Sequence, residues 1–174
     1  QRLALTGLMA TVSAPALAVG QLPGNVTPTR YDITIDPNAQ AKTFTGRETI
    51  TVLVKPKTKT ITLNAADLKI TRATIDGKPA RIAFDTAKQQ VTLTPATALK
   101  PGAHTLGFVW SGTINDTAAG FFAIDYKNPD GTAARMLATQ FEAPDARRFA
   151  PMFDEPAFKA KFKLSAVAPA KQLA

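Results

Sequence analysis

Residues 44–54 read FTGRETITVLV. Ile50, Val52 and Val54 fall on one side of an extended chain, and Thr49 and Thr51 on the other, because successive strand side chains point to opposite faces. The β-branched content and the two-residue period predict a strand. The same period recurs on both sides of this stretch. Upstream, Tyr31, Ile33 and Ile35 alternate with Asp32, Thr34 and Asp36, and Pro37-Asn38 closes the run. Downstream, Ile61-Thr62-Leu63 is a short strand. Leu68, Ile70 and Ile75 lead into Asp76-Gly77, a strong hairpin signal. Ile82 and Phe84 return from it, then Val91 and Leu93. After Pro101-Gly102, Leu106, Phe108 and Trp110 alternate until Ser111-Gly112 ends the run. No helical period is sustained between residues 30 and 115. Many short strands with turn signals between them predict an all-β fold of antiparallel sheets, sandwich-like or curved and saddle-like.

The 174 residues suit one domain, and 45% of them are hydrophobic, enough for an ordinary core. There is no cysteine, which excludes disulfides, thiolate metal sites and cysteine nucleophiles. There is a single histidine, His104 at a strand start, so this chain alone cannot assemble a site of two or three histidines around zinc. His104 is expected to be a surface or packing residue. The formal net charge is +8. Lys55, Lys57 and Lys59, and again Lys159, Lys161 and Lys163, alternate as on solvated strand faces. Neither a basic patch with stacking aromatics nor a nucleic-acid reader motif is present, so nucleic acid is not an expected partner.

Arg2 precedes an apolar run over residues 3–18 that ends in Ala16-Leu17-Ala18, a small-x-small cleavage pattern. Residues 1–18 are therefore expected to be a secretory signal peptide. They are too short and too interrupted for a membrane span. Residues 19–29, with Gly20, Pro23, Gly24 and Pro28, read as a linker, and residues 30–174 as a β-rich domain that looks cut at its C-terminus. The expected location is exported, either periplasmic or secreted.

The alternation breaks at residues 139–158, TQFEAPDARRFAPMFDEPAF, where charges of both signs sit among four Phe residues. Charged groups beside large apolar ones are costly to bury unless paired. This stretch follows a second hairpin turn, Asn128-Pro129-Asp130-Gly131, and a strand over residues 135–142 that places Gln140 and Glu142 on one face. Such a pair is either an exposed strand face or a recognition patch with donors and an anionic acceptor. On the residues alone, an ion pair between Glu142 and Arg147 or Arg148 is the commoner arrangement. Asp154-Glu155-Pro156 resembles a helix start.

Together these residues resemble the zinc aminopeptidases of the aminopeptidase N and puromycin-sensitive aminopeptidase family. The order that carries the resemblance is Ala119-Gly120-Phe121-Phe122, Tyr126, TQFEAPDARR over residues 139–148, Pro151, and Phe153-Asp154-Glu155-Pro156-Ala157-Phe158-Lys159. The opening RYDITIDP and the F-x-G of Phe44 to Gly46 fit as well. Ala150 between Phe149 and Pro151, and Met152, depart from the pattern at packing positions.

The resemblance implies the N-terminal domain of a larger zinc metallopeptidase, placed before a thermolysin-like catalytic domain. It implies that Glu142 accepts hydrogen bonds from the α-ammonium of a peptide with a free N-terminus. It also implies that Gln140 lines the first side-chain pocket. Zinc, its general base and its oxyanion-stabilising Tyr would belong to the downstream domain, so this chain alone is expected to hold no metal and to be inactive. Asp145, Arg147, Arg148, Asp154 and Glu155 are expected to form a charge network that fixes the loop. The alternative is a non-catalytic β-rich scaffold or interaction module of the same descent.

Overall fold

The computed structural model describes residues 20–170. The expected signal peptide, residues 1–18, lies outside the described residues. The chain folds into strands β1 (Val26–Asn38), β2 (Thr43–Val54), β3 (Ile61–Asn64), β4 (Lys69–Ile75), β5 (Lys78–Pro79) and β6 (Arg81–Asp85). There follow β7 (Gln90–Thr94), β8 (Gly102–Thr113), β9 (Gly120–Lys127), β10 (Ala133–Gln140) and β11 (Lys161–Ala166). The only helical element among the described residues is a 3₁₀ turn, Ala146–Arg148. The fold is all-β, as the alternation predicts.

Three sheets result. The largest has the order β11-β1-β2-β8-β4-β5, a second has the order β3-β7-β6, and β9 and β10 form a separate ribbon. All pairings are antiparallel except β1 with β11, which run parallel. The inner face of the six-stranded sheet carries Tyr31, Ile33, Ile50, Val52, Leu106, Phe108 and Trp110. These join Ile61, Leu63, Val91 and Leu93 of the three-stranded sheet in one core. Two layers that share a core make the molecule sandwich-like. Burial of each large side chain contributes about 1.5–3 kcal/mol.

Both sequence-marked hairpins form where their turn chemistry allows. Asp76 and Gly77 take φ of 51° and 74° between β4 and β5, as a two-residue hairpin turn requires. Gly131 takes φ of 84° between β9 and β10.

The structure differs from the sequence reading in several places, one of them being Lys159, which lies outside β11 and so does not share its strand with Lys161 and Lys163. β1 begins at Val26, inside the stretch read as a linker. Val26 pairs with Val54, and Val26 and Leu22 are both buried. The pattern is hidden there because the register of β1 shifts between Pro28 and Arg30. Lys55, Lys57 and Lys59 do not share a strand face: Pro56 follows the end of β2, and this segment is an exposed loop. β8 runs through Ser111 and Gly112 to Thr113, because its ladder with β2 continues as Phe44↔Gly112 and Thr43↔Thr113. Asp154-Glu155-Pro156 opens only a single turn, closed by the Phe158 N–H donating to the Glu155 carbonyl at 3.0 Å.

Candidate functional site

β10 stops at Gln140, so Gln140 and Glu142 are not two residues of one strand face. The chain turns instead. The Asp145 N–H donates to the Phe141 carbonyl at 3.2 Å, and the Ala143–Pro144 peptide is cis. Glu142 lies in this turn. Its backbone N–H donates to Gln140 Oε1 at 3.0 Å, so the two sequence-marked residues still meet, through backbone and not as parallel side chains. Both are exposed. The Gln140 amide spends its oxygen on the turn and keeps its Nε2 hydrogens as donors to spare.

The turn is held from behind by apolar and charged contacts. The Phe141 ring packs on Phe149 at 5.3 Å, and Phe149 meets Phe121 edge-on at 5.7 Å and Phe44 at 6.1 Å. The Phe149 carbonyl accepts the indole N–H of the buried Trp110 at 3.0 Å, which ties the segment to β8. Opposite Gln140 in the ribbon stands Gly120, with φ of 69°. A Cβ there would lie 2.8 Å from Arg148 Cβ and 3.3 Å from the Asp145 carbonyl oxygen. Only glycine lets β9 start so close to the 3₁₀ turn.

The charged residues sort themselves by partner. Arg147 is 8% exposed, and its Nε donates to Asp154 Oδ2 at 3.0 Å. The Arg147 backbone N–H reaches the same oxygen at 3.2 Å, Nη2 the Asp154 carbonyl at 3.1 Å, and Nη1 Gln89 Oε1 at 3.3 Å. Arg148 Nε donates to Asp145 Oδ1 at 2.8 Å, and its Nη1 pairs with Asp67. Four of the five expected network residues thus share in two Arg–Asp clusters.

Glu155 stands apart from them. Its Oε1 accepts the Leu22 N–H at 2.6 Å and fastens the incoming chain. Asp67 and Gln89 complete the clusters and carry no charge-pattern signal; both adopt positive φ, 56° and 53°. The arrangement leaves Glu142 out: among the described residues it forms no ion pair, since Arg147 and Arg148 are taken by aspartates. The expected Glu142–Arg alternative is not formed.

A second polar cluster lies deeper. Asn64 is fully buried at the end of β3. Its backbone exchanges hydrogen bonds with Met152 at 2.8 and 3.0 Å, and its Oδ1 accepts the Asp154 N–H at 3.1 Å. The Tyr31 hydroxyl oxygen accepts the Phe153 N–H at 3.0 Å. These bonds clamp Met152–Asp154 between the two sheets. His104 lies at the other end of the molecule. Its Nδ1 is 2.7 Å from Asp76 Oδ2 and its Nε2 is 2.9 Å from the Lys100 carbonyl oxygen. The Asp76 hydrogen bond, with the Lys100 carbonyl adding to it, raises the imidazole above its ordinary value.

Among the described residues no group of three or more His, Asp or Glu side chains comes together to hold a metal ion. No helix there is long and apolar enough to cross a membrane.

Comparison with known proteins adds the family context. Residues 27–174 match the Peptidase M1 N-terminal domain. The chain is 44% identical over 158 residues to an aminopeptidase N of Acetobacter pasteurianus, covering 90% of this chain and 44% of the relative. It is 42% identical over 149 residues to aminopeptidase 2 of Candida albicans, covering 84% of this chain and 16% of the relative. Aminopeptidase M1-D of rice is 36% identical over 169 residues, 95% of this chain and 19% of the relative. The chain therefore spans less than half the length of these relatives.

Proposed function

The chain belongs to the peptidase M1 family as its N-terminal domain, and from that premise we propose that Glu142 reads the free α-amine of a peptide substrate for an aminopeptidase. A substrate α-amine, with an ordinary pKa of about 7.7–8.0, is largely cationic near neutral pH. An exposed carboxylate on a rigid turn is its simplest counter-charge. The observation that supports this reading is the contrast around Glu142: Arg147 and Arg148 are paired with aspartates, the Glu155 carboxylate accepts the Leu22 N–H, and the Glu142 carboxylate is exposed with no ion pair among the described residues. The turn holds the Glu142 backbone through its N–H bond to Gln140 Oε1, and the carboxylate has no ion-pair partner for an arriving amine to displace. Gln140, joined to it by the 3.0 Å bond, would border the pocket for the first side chain.

In this reading the zinc and the peptide-cleaving groups sit in a downstream thermolysin-like domain, and this chain alone is inactive. Residues 1–18 would direct export to the periplasm or beyond the cell.

The test is kinetic. In the longer protein that carries this domain, Glu142→Ala is expected to lower kcat/KM for free-amine substrates by about 1.5–3 kcal/mol, the worth of a charge-assisted hydrogen bond. Unchanged kcat/KM in a normally folded variant would sink the assignment.

A further inference from the structure

Glu48 is the one carboxylate of the molecule placed where no carboxylate belongs. It lies in β2 in phase with Ile50, Val52 and Val54, and the two-residue period turns it into the core. It is 4% exposed, and neither of its carboxyl oxygens has a hydrogen-bond partner. Its cross-strand neighbours are Ile33 on β1 and Phe108 on β8. Next to it on the same face is Gly46, whose missing side chain is replaced by the Trp110 indole.

An ionised carboxylate in such a setting, with no paired cation and no donor, costs far more than the fold can bear, and the group holds its proton instead. Burial alone pushes the Glu48 carboxyl well above the ordinary range. The titratable group facing it from β1 is Tyr31, which burial, Glu48 and Asp154 all act upon. Phe108 and Trp110 on β8 carry no titratable group, and on β4 Arg72 lines the same cavity as Glu48, with no ion pair between the two. On the clamped segment Asp154 is the charged residue, and its carboxylate is bound to Arg147.

We propose that Glu48 is held in the core as the uncharged acid, and that its ionisation is a built-in pH switch that loosens the clamp between the sheets and Met152–Asp154. The register supplies the route. Glu48 stands opposite Ile33 and two residues along from the partner of Tyr31, whose hydroxyl accepts the Phe153 N–H, and Asp154 in turn holds Arg147. A negative charge beside Tyr31 disrupts the packing that positions its hydroxyl.

The sign is fixed by linkage. Glu48 is neutral in both states below the ordinary Glu value of about 4.3. Above it, the unfolded chain loses this proton and the folded chain keeps it, so stability falls as pH rises, by about tenfold in the folding constant per pH unit until Glu48 ionises in the fold.

Urea unfolding of this chain and of Glu48→Gln between pH 4 and pH 8 reads the switch. The ratio of folding constants, variant over wild type, is expected to climb by about tenfold per pH unit above about 4.3. Exchange of the Phe153 and Asp154 amides, corrected for intrinsic rates, is expected to speed up with pH in the wild type only. A ratio that stays constant with pH overturns the proposal, as do equal exchange profiles. If Glu48→Gln does not fold, infrared spectroscopy of the wild type decides. A protonated-carboxyl carbonyl stretch is expected at pH 7, where exposed carboxylates are ionised, and its absence overturns the proposal.

Discussion

The block from Thr139 to Phe158 handles charge in two opposite ways. In its second half, Arg147 is buried and its guanidinium is spent on Asp154 and Gln89, while Arg148 spans Asp145 and Asp67. In its first half, Gln140 and Glu142 are exposed, and Glu142 has a backbone contact but no ion pair. The first half is positioned by the second, through the Phe141–Asp145 turn and the packing of Phe141 on Phe149. The pairing of Arg147 and Arg148 with aspartates keeps them from pairing with Glu142.

The sharpest way to break this comparison is to unbalance the buried half. Asp154→Ala leaves the Arg147 guanidinium buried without its counter-charge and is expected to destabilise the chain by about 3–5 kcal/mol. Glu142→Ala, by contrast, should change stability by no more than about 0.5 kcal/mol, the scale of exposed substitutions. Denaturant titration of both variants separates the halves; equal losses would erase the distinction.

Gly120→Ala probes the joint between the halves. The positive φ and the Arg148 contact predict a loss of about 1–3 kcal/mol. A larger effect on kcat/KM than Glu142→Ala shows would place the strand end, not the carboxylate, at the centre of recognition.

His104 and Asp76 give the scale for a charge pair outside the block. The His104 value is raised in the folded protein, so its contribution is complete below the unfolded value of about 6.5 and is lost as pH rises through the folded value. The Asp76 value is lowered: partial burial opposes the shift, and the bonds from His104 and Thr105 outweigh it. Its contribution is present above the unfolded carboxyl value and is lost as pH falls through the folded one. The pair is thus strongest at mildly acidic pH. The pH-dependent part of the difference between the unfolding profiles of the wild type and His104→Gln should amount to about 0.2–1 kcal/mol and be gone at alkaline pH.

Alternation alone was enough for the strands around Tyr31, Ile50, Leu106 and Val91, and Asp76-Gly77 was enough for its hairpin, because period and turn chemistry are local properties. The sequence also marked the residues of the candidate site, since Gln140 and Glu142 stand in a block whose order is shared across a family. It did not determine which charge pairs with which. Asp67 and Gln89 are distant from Arg147 and Arg148 in sequence and reach them only once β3, β4 and β7 are stacked against the 3₁₀ turn. Nor did it separate Glu142 from the network, because that depends on β10 ending at Gln140 and on the turn that follows. Glu48 was visible in phase with Ile50 and Val52. Its burial without a partner was decided by the neighbouring strands, which bring Ile33 and Phe108 beside it and pair no cation with it. Local periodicity chooses the face a residue occupies, while the partners on that face come from segments far away in the chain.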